Sequence, residues 1–344
     1  MDFNLLSKLT STPAPSGREE ILRDIVAKLV KPYVDEIKVD KLGNLVTFKK
    51  GTGKTKLMLT AHLDEVSMRI RYIEPNGFLR FALTGGIDPR TLLAQRVVIM
   101  TEKHGMITGV IGAKPAHYLT AADRAAVTEN ALFIDLGMDA QKVSKIITVG
   151  DPAVLERTPV ELGDNFVSSK ALDDRAGVYG LIKLLQNLPK KHTNNIYAVF
   201  TVEEEFGLVG AEAAVFHINP DIALTIDTTG ALDTPGIAPQ DYVLNVGKGV
   251  GITLADKGTL SDYKLTKLLR KLGTENNIPY QLRVASRGSN DAKAIQRCGG
   301  PAAACPISIP VRYIHSNVEV ACKDDIEAAW HLVLELAKSN LEDF

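Results

Sequence analysis

Cysteine is scarce in this 344-residue chain: Cys298, Cys305 and Cys322 are odd in number and lack a Cys-x-x-Cys spacing. That excludes a disulfide framework and a cysteine-built zinc site, and free thiols in a reducing cytoplasm are the expectation. No stretch approaches eighteen consecutive apolar residues, so no membrane-spanning helix is expected. Met1-Asp2-Phe3-Asn4 carries no basic segment ahead of an apolar run, so no secretory signal is read there and a cytoplasmic location is expected. An excess of one charge is also missing. Forty Lys and Arg against 41 Asp and Glu leave a formal net charge of -1, without the basic footprint that nucleic acid requires. Internal repeats and low-complexity segments are absent too. What remains is an ordinary globular composition, 45% hydrophobic and 24% charged, long enough for one large α/β domain or two domains.

The periodicity divides the chain into three parts. Phe3 to Leu9 is apolar at helical spacing, and Ser11 to Gly17 breaks it with two prolines and a glycine. Ser16 with Glu19-Glu20 suits the start of a second helix, carrying Ile21, Leu22, Ile25, Leu29 and Val30 on one face. Val34–Val39 alternates like a strand, and Leu57–Ala61 is a short buried one. From about Arg69 to Gly163 glycines and prolines recur between short β-rich runs such as Arg96–Met100 and Gly109–Gly112. Strands at that spacing predict a small barrel or sandwich. Strand and helix signals then alternate, through a helix over Asp174–Leu188, to a striped helix over Ile326–Leu336. We therefore expect an α/β fold with a mixed sheet flanked by helices, residues 1–67 and 165–344, interrupted by a β-rich domain at 68–164.

Chemistry gathers at strand ends. The run Asn195–Thr201 reads as a buried strand, and Glu203-Glu204-Glu205 follows it directly. Ligands in open α/β sheets bind beyond the carboxyl ends of strands, where this cluster sits. A solvated acidic turn would look the same in isolation. Four other segments repeat the pattern: His62-Leu63-Asp64, Asp173-Asp174-Arg175, Asp227 after Ala223–Ile226, and His315 after Arg312–Ile314. Each alone has a bland reading, and Asp174 in particular could simply cap the following helix. Together, two histidines and several carboxylates make a set that zinc or cobalt would accept.

These segments, with Gly85–Arg90, Gly109–Pro115, Glu204–Leu208 and Asp233–Gly236, give the chain a resemblance to the M42 metallo-aminopeptidases of the glutamyl and tetrahedral aminopeptidase type. The resemblance covers nearly the whole chain. It implies two divalent metal ions, one held by His62, Asp173 and Asp227 and the other by Asp173, Glu205 and His315, with Asp173 bridging. It further implies that Glu204 is the general base and that Asp64 hydrogen-bonds the His62 imidazole and fixes its tautomer. The Asp173-Asp174 peptide is expected to be cis, and the chain to form a large homo-oligomer, often a dodecamer. The expected substrates are peptides with a free amino terminus.

The division of labour is chemically coherent. A carboxylate between two cations offsets their repulsion, while the base must stay off the metal to carry a proton. His315 is expected to be a ligand because it follows a strand in a short loop, whereas His331 in the last helix has the setting of a core histidine. Arg287 stands in a loop that departs from the family's usual wording; it could favour an acidic substrate side chain or simply be exposed. Two other enzymatic readings stay open. A metal-dependent deacylase of N-acylated amino acids would need the same ligands. A glycoside hydrolase using a carboxylate pair would need no metal and would leave both histidines without a task. A non-catalytic shell protein on a hydrolase fold would require a lost ligand or base.

Overall fold

The computed structural model describes residues 1–120 and 127–344. Its larger part is built on an 11-stranded mixed sheet. The centre consists of four parallel neighbours: Asn195–Thr201, Lys56–His62, Ile222–Gly230 and Ala303–Arg312. To one side the antiparallel strands Leu45–Lys49 and Glu36–Val39 extend the sheet. To the other, Glu319–Cys322, Phe166–Ser169 and Val160–Leu162 do so, and a branch of Val250–Ala255 and Tyr280–Val284 leaves from Ala303–Arg312.

The central strands are nearly continuous apolar runs because helices cover both faces. Successive side chains alternate between faces. Leu57, Leu59 and Ala61 enter the main core with the helices Phe3–Ser11, Glu20–Val30, Leu172–Asn187, Tyr263–Glu275 and Lys323–Lys338. Met58, Val199 and Ala223 face the opposite side, against Val209–Ile218 and Asp291–Arg297.

The β-rich stretch closes into a six-stranded antiparallel barrel: Ser67–Ile73, Leu79–Thr84, Phe133–Asp135, Gly105–Gly112, Arg96–Thr101 and Pro152–Leu155. Closure removes free strand edges, and Met68, Ile70, Phe81, Val97, Ile99, Ile111 and Ile134 fill the interior as a separate core. The chain leaves the main sheet after His62 and rejoins it at Val160.

Three local expectations need correction. Helix Glu20–Val30 begins without a side-chain cap, and the Ser16 hydroxyl instead donates to Asp64 Oδ2 at 2.7 Å. The buried line of that helix is Leu22, Val26 and Val30, whereas Ile21 is exposed, because burial follows the i, i+4 row. His331 is exposed, stacked on Trp330 at 3.7 Å between ring centroids, and does not enter the core.

Candidate metal centre

Strand register brings the first residues together. Thr201 lies opposite His62, and Thr225 lies opposite Thr60, so two residues further on Asp227 reaches the level of His62. Glu204 and Glu205 follow on the one-turn helix Glu204–Gly207, which opens after Glu203 in a left-handed conformation, φ 56°. Asp173 sits where helix Leu172–Asn187 is broken by non-helical backbone, and the Asp173-Asp174 peptide is cis, as the resemblance implies. His315 projects from the loop after Ala303–Arg312.

Asp173 occupies the centre. Its Oδ1 lies 3.1 Å from His62 Nε2, and its Oδ2 lies 3.3 Å from His315 Nε2. Asp227 Oδ1 is 3.8 Å from His62 Nε2, and Glu205 Oε1 is 3.4 Å from His315 Nε2. Two overlapping groups have ligand atoms within 4.8 Å of one another: His62 with Asp174 and Asp227, and His62 with Asp173 and Glu205. Asp174 belongs to the first by proximity, yet its two oxygens already accept the N–H groups of Gly177 and His62. It caps the helix, as its bland reading has it.

Asp64 serves the centre differently from the expected imidazole contact alone. Its backbone carbonyl lies 3.1 Å from His62 Nδ1, and its Oδ1 lies farther, at 3.4 Å. The carboxylate itself accepts the Ser16 hydroxyl and the backbone N–H groups of Glu204 and Glu205. Burial pushes the Asp64 carboxyl up, but His62, Ser16 and the Glu204 N–H outweigh it and hold it below its usual range. One buried side chain thus links the strand end at His62 with the glutamate turn.

The charge balance suits a bound cation. Burial and the negative charges of Asp227, Glu205 and Asp291 hold the Glu204 carboxyl well above its usual value, with His62 opposing. Burial and Asp173 likewise raise Asp227, and Glu205 is pushed up to about 7 by burial, with Asp173 adding and His315 opposing. Burial draws the imidazoles down, yet contact with Asp173 and neighbouring carboxylates holds His62 well above its usual range and His315 up to about 10. Asp173 falls in response: burial raises it, and the two imidazoles more than reverse that. Among the described residues no Lys or Arg forms an ion pair with Asp173, Glu204, Glu205 or Asp227. Buried carboxylates of this density are costly unless paired or coordinated. Two imidazole nitrogens and several carboxylates therefore fit divalent cations, by donor type and by unmet charge.

The centre opens onto a cleft of about 750 Å³, lined by Asp173, Glu204, Glu205, Asp227 and His315 on one side. The end of strand Tyr280–Val284 and the loop that follows it, residues 285–290, also line the cleft, and Arg287 is exposed there. Sequence reasoning missed the buried Asp291, whose Oδ2 accepts the Thr201 hydroxyl at 2.6 Å, and the buried Glu319. It also missed Glu65, which pairs with Lys170 and Arg175 just behind the centre and accepts the Ala14 N–H. Glu65 directly follows His62-Leu63-Asp64, and its position was the one available signal.

With this geometry in view, the comparisons with known proteins are unambiguous. The chain belongs to the M42 glutamyl aminopeptidase family, whose profile matches residues 43–332. It is 32% identical over 352 residues to the lysyl aminopeptidase of Pyrococcus furiosus, covering 100% of this chain and 97% of that protein. It is similar to an aminopeptidase from the archaeon Desulfurococcus kamchatkensis, with a TM-score of 0.94 at 42% identity over 98% of this chain and 94% of that one. It also superposes on the Pyrococcus horikoshii TET1 peptidase, which assembles into a tetrahedron or a large octahedral shell. There the TM-score is 0.89 at 32% identity, covering 98% of this chain and 99% of that one. Among the described residues no helix is long and apolar enough to cross a membrane.

Proposed function

We propose that this chain is a metal-dependent aminopeptidase that removes the amino-terminal residue from peptides. His62, Asp173 and Asp227 would hold one divalent cation, and Asp173, Glu205 and His315 the second, with zinc or cobalt suiting the donors. The observation that carries the reading is Asp173, whose two oxygens face two different imidazoles. The chemistry that two such cations supply when bound is Lewis acidity toward the scissile carbonyl and toward water. Glu204 is the general base: its carboxylate makes no hydrogen bond or ion pair among the described residues, so it is free to take a proton from water and deliver it to the leaving amine. Asp64 orients both the His62 ring and the Glu204-Glu205 backbone. The cleft's carboxylates favour a protonated substrate amino group. The catalytic domain is discontinuous, with the barrel domain inserted at about residues 68–159 instead of the expected 68–164, since strand Val160–Leu162 pairs within the main sheet. In the cell we place the protein in the cytoplasm, as a large homo-oligomer, a dodecamer by analogy with its relatives.

The test is a panel of aminoacyl-chromophore substrates assayed with metal-free, zinc-loaded and cobalt-loaded protein. Hydrolysis of free-amino substrates that is lost on chelation and restored by either ion is expected. Cleavage of N-acylated substrates alone would replace this reading with the deacylase, and activity on glycosides that survives chelation would replace it with the glycosidase.

A further inference from the structure

Glu319 stands outside the ligand set. It is the first residue of strand Glu319–Cys322 and is 1% exposed. Its two oxygens are divided between two distant backbones. Oε2 accepts the N–H of Asp173 at 3.1 Å, and Oε1 accepts the N–H of His315 at 2.8 Å. One side chain therefore ties together the two residues whose own side chains meet at 3.3 Å in the centre. Among the described residues it forms no ion pair with Lys or Arg, and these two backbone N–H groups are the hydrogen-bond donors its oxygens meet.

Both tethered backbones need such restraint. Tyr313 and His315 are non-glycine residues in the left-handed region, φ 60° and 61°, and Ala171 before Asp173 is a third, φ 54°. Conformations of that kind persist only where the surroundings over-determine them. The Ser316 hydroxyl donates to the Tyr313 carbonyl at 2.6 Å, and His315 Nδ1 lies 3.1 Å from the Gly86 carbonyl, which sets the ring. Apart from the contact between the His315 and Asp173 side chains, Glu319 is what connects this loop to Asp173 among the described residues, and it does so backbone to backbone. We propose that Glu319 is a positioning residue: it fixes Asp173 relative to His315, and with them the affinity of the cation site they form with Glu205. The proposal rests on the two-cation reading above.

The experiment compares wild type, Glu319→Gln and Glu319→Ala as full chains. Glu319→Gln keeps the volume and one acceptor but turns an amide N–H₂ toward a backbone N–H; Glu319→Ala removes both acceptors. Cobalt is titrated into metal-free protein, its content and release to EDTA are measured, and turnover is resolved into kcat and KM. In Glu319→Gln the cation held by Asp173, Glu205 and His315 should bind about 10–100-fold more weakly, as for other groups that orient a ligand, and the cation beside His62 and Asp227, which shares only Asp173, should weaken less. The loss should fall on kcat, with KM little altered. Circular dichroism of the metal-free variants checks the fold, and if Glu319→Ala does not fold, Glu319→Gln decides. Two cations released at the wild-type rate from folded Glu319→Gln would overturn the proposal, as would equal weakening of both. Fewer than two cations on wild type would instead overturn the two-cation reading. The ¹⁵N shifts of the metal-free imidazoles then decide the positioning role separately: Glu319→Gln should move those of His315 and leave those of His62, and unmoved His315 shifts would refute it.

Discussion

Replacing Glu204 with glutamine separates catalysis from binding and from folding. The Glu204 backbone N–H, which donates to Asp64 Oδ1 at 3.0 Å, is untouched by the change, and among the described residues the side chain has no hydrogen-bond partner to lose. A general base contributes about 10²–10⁴-fold, which at about 1.36 kcal/mol per tenfold is about 2.7–5.4 kcal/mol of transition-state stabilisation. Turnover of an aminoacyl-chromophore substrate by Glu204→Gln should fall by that factor with KM and metal content retained. Stability should move the other way. Burial holds the folded Glu204 carboxyl well above its unfolded value, so the folded state binds its proton more tightly. Metal-free wild type therefore loses stability as pH rises from the unfolded carboxylate range toward the raised folded value. Glutamine imitates the protonated form, so the metal-free variant should melt higher than wild type at pH 8, and the gap should close toward about pH 4.5. Undiminished turnover would refute the base assignment. Loss of metal would mean that Glu204 and Glu205 exchange roles.

Three further outcomes follow from named contacts. His315→Ala should lower metal stoichiometry toward one per chain and nearly abolish peptidase activity while the fold survives, because His62 stays in place; two tightly held ions with normal turnover would contradict it. Ser16→Ala removes the 2.7 Å hydrogen bond to the buried Asp64 carboxylate and should cost about 1.5–3 kcal/mol in chemical denaturation; an unchanged midpoint would show that this bond carries no net stability. The Cys305 thiol is fully buried and pushed up to about 12 by that burial, and Cys322 is also buried, so a thiol reagent should titrate Cys298 first in native protein and all three after denaturation.

The strand ends were the legible part of this molecule. Buried apolar runs followed by His62, Glu204-Glu205 or His315 mark both the central sheet and the place where ligands gather, since both follow from local pattern and strand polarity. The barrel was legible as a change in glycine and proline spacing, but its closure was not, because pairing Ser67–Ile73 with Pro152–Leu155 is a long-range event. Ser16 misled for the same reason. Its local context suits a helix start, yet Asp64, distant in sequence and adjacent in space, offers the stronger acceptor. Glu319 and Asp291 escaped notice because each sits in an ordinary strand or helix opening and acquires meaning only from backbone N–H groups and hydroxyls brought to it by the fold. His331 shows the converse: an apolar helical neighbourhood in sequence includes a solvent face in three dimensions.

The central claim is that Asp173 is shared between two cations. Anomalous difference maps from zinc-loaded crystals, collected on either side of the zinc absorption edge, test it most directly. The account predicts two peaks flanking the Asp173 carboxylate, one beside His62 and Asp227 and the other beside His315 and Glu205. A single peak, or a pair that leaves Asp173 outside the coordination of either ion, would contradict it.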